Sequence, residues 1–132
     1  MAEIIIMAEI RIIVSDKEIR NVLDGLRSFM GPTGAKPGCI QCSIACDADN
    51  PNLITYTEKW QSEECLRPHL QSHQYRQLLS IIELAAREPE IGFYHINQTG
   101  GLEVIEEART IALTDGKPVT PEDFKKEMWN HS

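Results

Sequence analysis

Apolar residues recur along this chain in two rhythms, a period of two and a period near 3.6, and the switches between them outline the elements. Residues 3–14 are rich in isoleucine and run to Val14, which predicts a first strand buried on at least one face. Ser15-Asp16-Lys17-Glu18 is a capping-box pattern, and Ile19, Val22, Leu23, Leu26 and Met30 follow at helical spacing, predicting a helix over about 16–30. The breaker-rich stretch 31–38 ends it. Ile40, Cys42, Ile44 and Cys46 then alternate with Gln41, Ser43 and Ala45 as a second strand. The turn Asp47-Ala48-Asp49-Asn50-Pro51-Asn52 reverses the chain into a third strand, Leu53 to Trp60. On this third strand Ile54, Tyr56, Glu58 and Trp60 share one face, where the glutamate is the odd member.

Ser62-Glu63-Glu64 puts an oxygen cap and two acids at the positive end of a helix. Pro68 predicts a stop or kink, with a fresh helix starting near Ser72. Tyr75, Leu78, Leu79, Ile82 and residues 84–86 carry an apolar face out to Arg87, before Pro89. Ile91, Phe93 and His95 alternate with Gly92, Tyr94 and Ile96 as a fourth strand, and Leu102 to Glu107 is expected to add a short further strand. The order β-α-β-β-α-β is the ferredoxin-like split arrangement, an α+β fold with an antiparallel sheet and helices on one face. The isoleucines of the first strand and the Ile54, Tyr56, Trp60 row imply apolar residues on both sheet faces. The uncovered face then predicts a homodimer packed sheet to sheet, with the strand after Gly101 crossing to the partner. A single domain is expected over 1–109. The tail 110–132 reads either as partly ordered chain or as carrying a short helix over 121–129, opened by Thr120-Pro121-Glu122-Asp123.

A net charge of −7 and a pI near 5.0, with scattered Lys and Arg, argue against nucleic acid as a partner. The apolar run at 4–8 is broken by Glu9 and Arg11, short of the ~20 apolar residues of a membrane span, and it lacks the basic start of a signal peptide. A cytoplasmic protein without membrane contact is the expectation. Four cysteines in such a chain read as reduced thiols. Cys39 and Cys42 lie in a strand rather than at a helix start and lack a second ligand pair, so strand thiols are expected, with Cys42 and Cys46 on one face and Cys39 on the other. His69 and His73 have the spacing of two imidazoles on one metal. Pro68 and Ser72 interrupt that helix and no third ligand is evident, so no metal is assigned.

Pro37-Gly38-Cys39, Asp49-x-Pro51, Glu58-x-Trp60 with Ser62 and Glu63-Glu64, and His69-Leu70-x-Ser72-His73-x-Tyr75 together resemble the antibiotic biosynthesis monooxygenase superfamily of dimeric α/β-barrel proteins, over roughly residues 8–105. The resemblance implies a ferredoxin-like protomer that pairs through its sheet, with a cavity between sheet and helices. It also implies oxidation of quinols or polyphenols by dioxygen with no cofactor, neither metal nor flavin, the substrate supplying the electrons. A second branch of the family degrades haem with an asparagine on the first strand. Residues 3–14 contain none, which makes that branch the weaker match. A non-catalytic or small-ligand-binding dimer on the same scaffold is the alternative.

On this resemblance His69 and Trp60 are the catalytic candidates, and Tyr56, Glu58, Tyr75 and His95 the substrate-binding ones. Each also has a bland reading. Trp60 either stacks on a small aromatic substrate or packs as core at a strand end. His69 either takes a phenol proton or ties its helix to the sheet through Glu58. Tyr56 and Tyr75 are core or hydrogen-bond donors, and alternation leaves open whether His95 faces the cavity or a partner. Arg76 reads as a solvated helix residue.

Overall fold

Strict alternation on β1 (Ile5–Ile13) buries Ile6, Ala8, Ile10 and Ile12, and on β3 (Leu53–Trp60) it buries Ile54, Tyr56, Glu58 and Trp60. The antiparallel register sets Ile6 opposite Trp60, Ala8 opposite Glu58, Ile10 opposite Tyr56 and Ile12 opposite Ile54, so both rows share one face. β2 (Cys39–Cys46) pairs with the far edge of β3 and β4 (Glu90–Ile96) with the far edge of β1, giving the order β2-β3-β1-β4 with every pairing antiparallel. This computed structural model describes residues 4–114, and the chain divides into two compact units, one running to Asn97 and one starting at Gln98.

The helices of the first unit, α1 (Ile19–Gly34), α2 (Glu63–Leu70) and α3 (His73–Ile82), belong to its single helical layer. Val22, Leu26 and Phe29 of α1 and Tyr75, Leu78 and Ile82 of α3 join Ile10, Ile12, Ile54 and Tyr56 in the main core. A satellite core of Ile6, Trp60 and Leu66 lies under α2. Ser62 and Ser72 cap α2 and α3, their hydroxyls accepting from the N–H groups of Cys65 and Tyr75. Pro68 sits inside α2, which ends two residues later at Leu70.

Several sequence expectations need correction. The breakers Gly31, Pro32 and Gly34 lie within α1, because Thr33 is buried in the core and one proline removes only one helical donor. α3 ends at Ile82, not at Arg87. A β-bulge between Cys39 and Gln41 adds one residue, so Cys39 aligns with Trp60 and Cys42 with Glu58. Cys39 therefore shares the helix-side face with Cys42 and Cys46. The Ile54, Tyr56, Trp60 row faces the helices too, leaving the other face mixed, with Ile5, Met7, Ile13 and Leu53 beside Glu9, Thr55, Thr57 and Lys59.

In the second unit, the strand expected at 102–107 is instead the start of helix α4 (Leu102–Thr114). Leu, Glu and Ala favour a helix there, and the Glu103 carboxylate accepts the Gly101 N–H at 2.8 Å, satisfying a donor at the helix start. The tail helix expected over 121–129 lies outside the described residues.

Candidate functional site

Glu58 is 1% exposed, and a carboxylate taken that far from water persists only when its lone pairs are met. The period of β3 brings two partners to it: Tyr56 donates its hydroxyl to Oε2 at 2.7 Å and Trp60 its indole N–H to Oε1 at 2.9 Å. α2 brings the third, His69, whose Nε2 lies 3.0 Å from the carboxylate. Burial is the largest single influence on this carboxyl and pushes its pKa up. The hydrogen bond from His69, with those from Tyr56 and Trp60, opposes it, and Glu58 is held below the ordinary carboxylate range.

His69 is itself buried, and its other nitrogen is also engaged. Lys36, in the loop between α1 and β2, places Nζ 2.7 Å from His69 Nδ1 and donates a weaker bond to Ser72 Oγ at 3.4 Å. An ammonium only donates, so Nδ1 accepts and Nε2 carries the proton given to Glu58. The partners thus assign a neutral imidazole. Trp60 flanks the ring at 4.8 Å between centroids and Tyr75 meets it edge-on at 5.1 Å. Cys42 extends the chain at its far end, donating its thiol to the Tyr56 hydroxyl at 3.2 Å. Burial pushes that thiol up to about 11 and the Tyr75 phenol to about 12, with the Glu58 charge adding to both, and Tyr56 is raised by the same two causes. Among the described residues no buried side-chain nitrogen or oxygen lacks a partner.

Of the sequence candidates, Tyr56, Glu58, Trp60, His69 and Tyr75 therefore meet in one sealed network, while His95 stands apart. The register sets His95 opposite Ile6, on the helix-side face of β4. There it borders an open cleft of about 280 Å³ between α2 and β4, with Ile6, Leu66, Leu70 and Phe93 as apolar walls. Glu63 and Arg67 stand on the α2 rim; Glu63 lies 3.7 Å from His95 Nε2 and 3.8 Å from Arg67. Ile6 and Leu66 belong both to this wall and to the satellite core with Trp60, so they stand between the cleft and the indole. His69 and His73 fall on separate helices, the first buried and the second exposed. Among the described residues no three His, Cys, Asp or Glu side chains converge as a metal site.

Two residues of these sites, Phe93 and Lys36, escape sequence reasoning. Phe93 shares its face of β4 with His95, and alternation alone does not show that this face borders a cleft. Lys36 carries no local signal, because its partner is 33 residues away.

A sequence model described as antibiotic biosynthesis monooxygenase matches residues 4–79, taking in β1 through most of α3. The chain belongs to this family. The match covers the whole Glu58 network and stops before the Phe93 and His95 side of the cleft. Solved structures agree on the fold. A conserved protein from Methanosarcina mazei superposes with a TM-score of 0.65 at 22% identity, over 70% of this chain and 92% of that one. A candidate antibiotic biosynthesis monooxygenase from Nitrosomonas europaea gives 0.67 at 14%, over 76% and 97%. Another, from Deinococcus radiodurans, gives 0.67 at 15%, over 73% and 96%. No curated protein matches the chain at significance.

Proposed function

We propose that this member of the antibiotic biosynthesis monooxygenase family oxidises a small quinol or polyphenol with dioxygen, without a cofactor, in the cleft between α2 and β4. One observation carries the reading: an apolar, aromatic-walled cleft has its own histidine and carboxylate at the rim. Neutral His95 takes the phenolic proton, and Glu63 stabilises the imidazolium that results. The phenolate ring then reduces dioxygen. One oxygen atom bonds to a ring carbon and the other leaves as water, so that a quinol and dioxygen become a hydroxyquinone and water. Ile6, Leu66, Leu70 and Phe93 hold the ring and exclude water from it. In this reading His69 and Trp60 position the wall, since both His69 nitrogens are occupied and Trp60 is fully buried.

The sealing of the family's signature residues favours a second reading, in which the cleft binds an aromatic molecule without turning it over. Oxygen uptake with a panel of hydroquinones separates the two. Catalysis is expected in wild type, with His95→Ala lowering kcat by about a hundredfold. Uptake at the wild-type rate by His95→Ala, with loss in a folded His69→Gln variant, would return the proton transfer to His69. Binding with no uptake by wild type would leave the second reading standing.

A further inference from the structure

α2 has a second hollow on its opposite side. Glu63, Leu66, Arg67 and Leu70 face the quinol cleft, whereas Glu64, Cys65, Pro68 and His69 face a separate cleft of about 360 Å³, closed by Trp60 and by Lys36-Pro37 of the loop before β2. We infer that this second cleft binds a small monoanion with a flat apolar body, a monocarboxylate of the benzoate type.

The cation comes from Lys36. An ammonium has three N–H donors; one goes to His69 Nδ1 at 2.7 Å and one to Ser72 Oγ at 3.4 Å, leaving one for a ligand in the cleft that Lys36 lines. Both partners of Lys36 are neutral, and among the described residues Lys36 forms no ion pair with a carboxylate, so its charge is available to an anion. The walls set the body of the ligand. Pro37 and Pro68 offer flat apolar surfaces over the buried Trp60, and the volume suits a single ring with its hydration. The rim sets its charge. Glu64 lines the same cleft and opposes a second negative group, and one ammonium offers a phosphate too few donors. This site shares no lining residue with the quinol cleft and does not depend on that reading.

The test uses the full chain with Trp129→Phe, leaving Trp60 as the only tryptophan and a buried fluorescence reporter behind the cleft wall. Titration with benzoate is expected to saturate, while benzyl alcohol and the dianion terephthalate bind at least about tenfold more weakly. Lys36→Met keeps the stem and is expected to weaken benzoate by about tenfold or more, and Lys36→Arg to retain binding. Amide shifts on adding benzoate should fall at Lys36, Cys65 and Ser72 and spare Phe93 and His95. Equal affinity in Lys36→Met, shifts confined to Phe93 and His95, or no saturation in wild type would each overturn the proposal.

Discussion

Glu58 shows how one buried charge ties distant segments together. Its folded pKa lies below the unfolded one, so the stability it contributes is present above the ordinary carboxylate range and is lost as pH falls through the depressed value. Glu58→Gln removes that titration while keeping the side chain's size. The variant is expected to lose about 1–3 kcal/mol at neutral pH, because an amide serves the Tyr56, Trp60 and His69 donors poorly, and to show a flatter acid limb in urea unfolding followed from pH 7 downward. An acid limb as steep as in wild type would remove Glu58 as its source. Much of this network is legible in the sequence: a glutamate in phase with Ile54, Tyr56 and Trp60 must find donors, and His69 follows within reach on a helix. Lys36 is not legible, because a lysine in a Pro- and Gly-rich loop looks like any solvated cation until the fold folds that loop over α2.

At the scale of elements, most departures from the expected pattern are single-residue events that periodicity averages over. The bulge in β2 turns Cys39 to the other face, and a run of breakers is absorbed into α1 once Thr33 finds the core. The segment 102–107 shows the limit of short apolar runs, where local propensity and a side-chain bond to Gly101 decide for a helix. Gly38 sits at the entry to β2 with φ of 84°, and a Cβ there would collide with the Cys65 side chain of α2. Gly38→Ala is therefore expected to destabilise by about 2 kcal/mol or more, combining left-handed backbone strain with overpacking. Chemical denaturation checks this, and adding Cys65→Gly should recover the overpacking part alone. A full-strength Gly38→Ala protein would mean that the loop moves freely over α2.

For the whole molecule, β-α-β-β-α-β was readable in outline because each buried face repeats with a clear period, and the family match agrees with it. The face opposite the helices is less apolar than the sequence suggested, yet Ile5, Met7, Ile13 and Leu53 still give it a partly buried apolar margin around Glu9, Thr55 and Thr57. We expect a homodimer through this face, seen by sedimentation at micromolar concentration and shifted toward monomer by Met7→Lys. A monomeric wild type would end that expectation. α2, only 8 residues long, has one cleft on each side of it. Were the two proposed ligands bound at once, reciprocity would hold across this partition: if a benzoate behind the helix altered quinol affinity by some factor, the quinol would alter benzoate affinity by that same factor. The helix that separates the two clefts is thus the element that any coupling between them would have to cross.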